Sequence, residues 1–364
     1  MRFFLLPFLL LGLVRPSAAQ TVPEAYRAVF SLEALGTAPP SALLAASYTL
    51  AYRGLVPHAA FALAREPSGR SAWGYAGGAP TAEAAEAMAL ERCRRSLGPV
   101  QAECRILARD ARLADGPAVP LAEGRLGPFR SAPLMLRRGP AAAQGVVIWA
   151  HGYAGPARDL RGSAAPGFTA ILNDAGWDVL RFDRHPGDDA LYTSLPRLTE
   201  GLAAVRAAGY RRIVLAGQSR GGWQAIMAAS ARPELVEAVI ATAPAAHGEA
   251  SRANNLLAGI DDFRRLLAGL PARGPRLAVA LFEGDDFDPD PERRAGLVED
   301  AAATRPAPLL VLWPAGAEPA PIRGHGGAAD PRFTMLYGAC LLTLVQAPEA
   351  AAPRGLRRAP CGGG

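Results

Sequence analysis

The sequence predicts an α/β protein: a doubly wound, mostly parallel sheet over residues 128–347, preceded by a small α+β module tied by a disulfide. Three observations carry that expectation. From residue 128 onward, apolar runs of strand length alternate with segments of helix length, the pattern of parallel strands joined by crossover helices. One of those runs ends in a Gly-x-Ser-x-Gly turn that opens a helix. Ahead of them, an Ala-rich stretch carries two of the four cysteines.

Composition narrows the chemistry before any motif is read. The 364 residues include 39 basic and 33 acidic side chains, with 50% hydrophobic and 20% charged residues and a formal charge of +6, ordinary for a globular protein. Lysine is absent, so every basic residue is arginine. That excludes Schiff-base chemistry, a Walker-type phosphate loop and a Ser–Lys pair, each of which needs an amine or ammonium. The arginines are scattered, and Ala, Gly and Pro are equally inflated. The charge therefore reads as composition bias, with no nucleic-acid partner.

The N-terminus reads Met1-Arg2, a mostly apolar run over 3–14, then Arg15-Pro16-Ser17-Ala18-Ala19. A basic start, a short apolar run and small residues before a cut site describe a secretory leader over 1–19, cut after Ala19. Twelve residues are too few to cross a bilayer core, which takes about 20. The mature chain is expected in the periplasm or outside the cell, with no stable membrane insertion. The four cysteines, Cys93, Cys104, Cys340 and Cys361, suit an oxidising compartment. Eleven residues of unbroken helix between Cys93 and Cys104 would span about 16 Å, against the roughly 4.4–6.8 Å a disulfide allows. The chain must turn back, and Gly98-Pro99 offers the place. Sequential pairing then joins Cys340 to Cys361.

Residues 20–115 form the small module, with an extended stretch around Trp73 and a helix from Ala82 to Cys93. The Trp73-Gly74-Tyr75, Ala-rich helix and Cys…Cys order loosely resembles small Cys-paired domains of exported bacterial proteins, which implies no chemistry. Residues 116–127, rich in Pro, Gly and Ala, read as a linker, and 348–364 as a tail. Within 128–347, strands are expected at 145–150, 177–182, 213–216, 238–242, 277–282 and 309–312, with helices including 198–208 and 222–231. Reactive groups in such sheets stand at the carboxyl ends of strands.

The strand at 213–216 runs into Gly217-Gln218-Ser219-Arg220-Gly221. With 39 glycines in the chain the letters alone say little; the strand–turn–helix context is what a nucleophile elbow requires. A hydroxyl is a weak nucleophile, so Ser219 needs a base, and the base an orienting acid. Where serine stands on such an elbow the chain order is serine, acid, histidine. Of His58, His151, His185, His247 and His325, only His325 follows the strand whose end should supply the acid. That end carries three carboxylates, Asp285, Asp286 and Asp288, before Pro289. Asp285, the first, is taken as the acid, with Asp286 as the alternative and Asp288 third. Asp286, Asp288 and Asp290 alternate in the manner of calcium ligands, but Pro289 and Pro291 stiffen the turn and no Gly allows its bend; no metal is assigned. An oxyanion needs backbone donors. Arg220 N–H follows the nucleophile, and Tyr153 N–H, or that of Ala154, lies in the turn after the strand at 145–150. His151 is read as a brace for that turn, and His185 is left without a role.

Together these residues resemble the α/β-hydrolase superfamily over 128–347. His151-Gly152, Gly217-Gln218-Ser219-Arg220-Gly221, the acidic turn at Asp285 and the late His325 fall in that family's order. The Glu283-Gly284-Asp285 turn is similar to the serine esterase and dienelactone hydrolase-like branches; dienelactone hydrolases carry Cys where Ser219 stands, so their lactone activity does not transfer. The resemblance implies an α/β-hydrolase fold and a serine esterase with no cofactor and a small-molecule ester as partner. A peptidase or thioesterase of the same fold, or a non-catalytic envelope-associated binding protein on this scaffold, are the alternatives. A dehalogenase is excluded, because it needs a carboxylate in place of Ser219. The acyl and alcohol groups and the oligomeric state are not encoded in any motif.

Overall fold

The computed structural model describes residues 23–252, 254–317 and 320–361; the leader read over 1–19 lies outside them. The N-terminal part begins with α1 (Glu24–Val29) and α2 (Ala42–Ala46), the latter continuing in tighter and wider turns to Gly54. An antiparallel four-stranded sheet follows, in the order β2-β1-β3-β4, from β1 (Ala60–Arg65), β2 (Ser71–Ala76), β3 (Arg105–Arg109) and β4 (Arg112–Leu113). Helix α3 (Ala82–Arg95) lies across it, started by Thr81, whose side chain accepts from Ala84 N–H. Alternation along β1 sorts two cores. Ala60, Ala62 and Ala64 face α3, where small side chains let the helix sit close. Phe61 faces Tyr48, Tyr52 and Leu44 on the other side. A Cβ at Gly74 would stand 2.4 Å from Cys93 N. The Cys93–Cys104 disulfide closes the turn after α3.

This part is docked rather than tethered. Arg53, at the end of the α2 segment, is buried and donates to Asp174 and Asn173 of the second part. Ala165 N–H donates to Gly54 O at 2.8 Å. Within the stretch read as a linker, Val119 and Leu121 pack against the Phe61 core, and Arg125–Leu126 forms β5, the first strand of the larger sheet.

The larger sheet has nine strands in the order β5-β6-β8-β7-β9-β10-β11-β12-β13. These are β6 (Phe129–Ser131), β7 (Gly145–Ala150), β8 (Trp177–Phe182), β9 (Ile213–Gln218), β10 (Ala238–Thr242), β11 (Arg276–Ala280), β12 (Leu309–Leu312) and β13 (Gly355–Arg357). Strand β6 runs antiparallel to β5 and β8; from β8 to β13 all pairs are parallel. This is the doubly wound, mostly parallel sheet that the sequence predicts. One face is covered by α4 (Phe168–Asp174) and, at the far end of the chain, α9 (Pro331–Gln346); the other by α5 (Leu191–Ala207), α6 (Arg220–Ala231), α7 (Asn255–Ala268) and α8 (Pro291–Ala303). The central strands are buried on both faces, so they read as unbroken apolar runs.

Several elements differ from the sequence reading. Strands β5, β6 and β13 are short and lie at the sheet's margins, too brief to show a period. Helix α5 starts at Leu191 rather than near 198, since Pro196 falls within its early turns. Strand β11 closes at Ala280, two residues before Phe282. The stretch read as a tail adds β13 beside β12 and returns Cys361 to Cys340 of α9, with Cys361 N–H on Leu336 O at 2.7 Å.

The sequence order β7, β8, β9 against the spatial order β8-β7-β9 makes the chain switch sides between β7 and β9. Loops leaving those two carboxyl ends diverge and open a crevice.

The Cys340–Cys361 bridge joins residues 21 positions apart and should contribute about 3 kcal/mol by restricting the unfolded chain. Replacing both cysteines by serine is expected to lower the urea midpoint accordingly, and an unchanged midpoint would show that β13 holds without it.

Candidate active site

Strand β9 delivers Ser219 into that crevice on a turn with no slack. Ser219 has φ 57° and ψ −125°, a region that costs a non-glycine residue about 1–3 kcal/mol. The surrounding glycines make it possible. A Cβ at Gly217 would stand 2.3 Å from Gly221 C, and one at Gly221 would stand 2.2 Å from Ala150 O. A Cβ at Gly152 would meet Gln218 Oε1 at 2.3 Å. Ser219 N–H donates to Thr242 O at 3.0 Å, fastening the turn to β10, and Ser219 then caps α6. The serine therefore sits at a helix N-terminus, where the first backbone N–H groups have no partner within the helix.

The loops that carry Asp285 and His325 leave adjacent strands, β11 and β12, and are stitched together past their ends. Glu283 pairs with Arg323 in a short parallel bridge, Gly324 N–H donates to Glu283 O at 2.8 Å, and Arg323 pairs with the Glu283 carboxylate at 3.0 Å. Gly324, at φ 79°, turns the chain there. His325 Nδ1 then lies 2.8 and 2.9 Å from the two oxygens of Asp285. A carboxylate facing it makes Nδ1 the protonated nitrogen, which leaves Nε2 with a lone pair. Nε2 is buried and has no hydrogen-bond partner among the described residues. Gln218 Nε2 holds His325 O at 3.0 Å, and the Phe287 ring packs 4.2 Å from the imidazole.

The three candidate carboxylates occupy different environments. Asp285 is buried, and its Oδ1 also accepts from Phe287 N–H at 2.9 Å. Asp286 is exposed; its backbone oxygen accepts from Ala250 N–H. Asp288 pairs with buried Arg294 at 3.0 Å, and burial pushes its carboxyl up to about 6. Asp290 caps α8 by accepting from Arg293 N–H at 3.0 Å.

The turn after β7 stands across from Ser219. His151 is buried, with Nδ1 2.7 Å from Gly152 O and Nε2 accepting from Arg184 N–H at 2.9 Å. Burial, aided by the Arg184 charge, holds the ring's pKa down to about 3, so it braces the turn as a neutral group. His185 is exposed, accepts from Gly187 N–H and does not line the cleft. His247 does line it and bonds Asp262 at 2.8 Å. Two arginines carry contacts that sequence reasoning missed: Arg184, at the end of β8, and Arg220, whose guanidinium stacks 3.5 Å over the Tyr153 ring. The signal for Arg184 was its position, two residues past a strand end flanking the switch point.

Ser219, His325, Gly152, Tyr153 and Arg220 share one open cleft of about 1010 Å³. Its floor is the elbow and its walls come from the segments 152–166 and 245–252. Among the described residues, no helix is long and apolar enough to cross a membrane.

No family model matches the sequence, and no curated protein matches it. Among solved structures, a Bacillus licheniformis lipase in mature form aligns at 16% identity with a TM-score of 0.38, over 60% of this chain and 99% of that one. A CIB-like hydrolase described as predicted, from Thermoplasma acidophilum, aligns at 18% identity and TM-score 0.37, over 59% and 91%. An esterase of Pyrococcus furiosus aligns at 16% and 0.39, over 55% and 80%. What the cleft of this chain can do follows from its own residues.

His151 supplies a test of the brace. The unfolded ring takes a proton near 6.5 and the folded one only near 3. The ring's contribution is therefore fully present above 6.5 and is lost as the pH falls toward 3. Between pH 7.5 and pH 5 that amounts to about 2 kcal/mol. Urea titrations at both pH values should show wild type losing about that much more than His151→Gln; parallel losses would mean the ring is not held neutral.

Proposed function

We propose that this chain is an exported serine hydrolase that cleaves carboxylic esters through an acyl-enzyme. The observation that carries the reading is the His325–Asp285 pair: an imidazole protonated at Nδ1, with Nε2 unpaired, in the cleft that holds Ser219 on its elbow. In this reading Ser219 Oγ attacks the ester carbonyl while His325 Nε2 takes the hydroxyl proton. Asp285 holds the resulting imidazolium without becoming protonated itself. The carbonyl oxygen, now an anion, is received by the backbone N–H groups of Arg220 and Tyr153, each donor worth about 2.7–4 kcal/mol in such sites. The C–O bond to the alcohol breaks as Nε2 returns the proton to it. Water then repeats the sequence on the acyl-serine and frees the acid.

An open cleft of about 1010 Å³ with a glycine-rich rim suits a small ester better than a folded peptide. Export accords with the leader over 1–19 and with two disulfides that join all four cysteines.

A fluorophosphonate probe should label the wild type and leave Ser219→Ala unlabelled; a native protein that ignores both the probe and short p-nitrophenyl esters would end the hydrolase reading. His325→Ala should lose several orders of magnitude in kcat with an unchanged thermal midpoint. Asp285→Asn is expected to cost on the order of 10⁴ in kcat, and Asp286→Asn little. If the second variant were the more damaging, the acid would be Asp286.

A further inference from the structure

We propose that the buried Arg184–Asp189 ion pair is the positioning element for both halves of the oxyanion site. The proposal rests on the hydrolase reading above and names residues that act through others rather than on substrate. Arg184 Nε bonds Asp189 Oδ1 at 2.5 Å, and both side chains are almost wholly buried. Its Nη2 donates to Gly152 O at 3.0 Å and to His151 O, while its backbone N–H donates to His151 Nε2 at 2.9 Å. One residue thus holds two successive carbonyls and the ring of the turn after β7. Strand register places it there, since Phe182 of β8 lies opposite Ala150 of β7.

The consequence lies in the peptide plane. Gly152 O and Tyr153 N–H belong to one planar trans unit and point in opposite directions. A guanidinium that pins Gly152 O on one side therefore aims Tyr153 N–H to the other. His151 Nδ1 holds the same oxygen at 2.7 Å, so that carbonyl is gripped twice.

The second half is reached through Asp189. Its backbone oxygen accepts from Arg220 Nη1, and the Arg220 guanidinium covers the Tyr153 ring at 3.5 Å. A closed circuit results: Arg184, Asp189, Arg220, Tyr153, Gly152 and back to Arg184. It joins the residues that carry the two donor N–H groups, although they leave different strands, β7 and β9. A buried ion pair is poor evidence for stability, since apolar substitutes often do as well. A planar fork that must reach a carboxylate and two carbonyls at once is a geometric device, and an ammonium on a flexible stem does not reproduce it.

The test compares wild type with Arg184→Lys, Arg184→Gln and Arg220→Gln. Rates on a matched oxoester and thionoester are expressed per fluorophosphonate-titratable site. Sulfur accepts hydrogen bonds poorly, so the oxoester-to-thionoester rate ratio reports on the oxyanion donors. The Arg184 variants are expected to lose about 10- to 100-fold in oxoester kcat per site. KM should stay within about twofold, the pH–rate profile should keep its midpoint, and the rate ratio should fall. Arg220→Gln should move the ratio in the same direction by less. A wild-type rate per site with a wild-type ratio, alongside a lowered thermal midpoint, would make the pair structural and overturn the proposal. If the Arg184 variants do not fold, Arg220→Gln decides, and an unchanged ratio overturns it. Failure of the hydrolase reading is seen separately, as a wild type that neither labels nor turns over either ester, and it removes this proposal with it.

Discussion

Ser219 can hold φ 57° only because three chain segments meet around it with no room for side chains. Gly217, Gly221 and Gly152 each bring backbone or the Gln218 amide within a distance that a Cβ could not share. The geometry of the crevice follows from that meeting. Gly221 lets the start of α6 press on the end of β7, and Gly152 lets the turn after β7 lie against the elbow. A serine at that point is thrust clear of its strand while the helix N-terminus lies beneath it. The strain, about 1–3 kcal/mol, is offset by hydrogen bonds fixed elsewhere, notably Ser219 N–H on Thr242 O.

The remaining groups are held by contacts between loops rather than by regular structure. The segments after β11 and β12 meet through the Glu283–Arg323 bridge, so that Asp285 and His325, forty residues apart, face each other at 2.8 Å. Nearby, buried Arg294 takes Asp288 at 3.0 Å and also lies 4.7 Å over the Phe263 ring, which gives a second carboxylate its own cationic partner. With no lysine in the chain, every cationic anchor is a guanidinium. Where several acceptors converge, as at Gly152 and Asp189, its forked donors suit the task.

The sheet was legible in the sequence because its central strands are buried on both faces and bounded by turn residues, which leaves plain apolar runs. The turn at Ser219 was legible from strand, glycine spacing and helix together, and His325 as a candidate from the order of five histidines. The choice among Asp285, Asp286 and Asp288 had to stay open in one dimension. It depends on which carboxylate is buried beside His325, which is exposed and which meets Arg294, and chain spacing records none of these. Arg184 was hidden for a similar reason, as one guanidinium among many whose value lies in facing a turn more than thirty residues earlier. The docking of the N-terminal part was equally hidden, since Arg53 finds Asn173 and Asp174 only after both parts have folded.

The central claim is that Ser219 is acylated by an ester. Rapid-quench mass spectrometry of the enzyme mixed with p-nitrophenyl acetate addresses it without reference to any neighbouring protein. The account predicts one acetyl group per chain within the mixing time, mapped to Ser219 and accompanied by a matching burst of nitrophenol. Steady hydrolysis with no acetyl on Ser219, or with the acetyl on another residue, would contradict it.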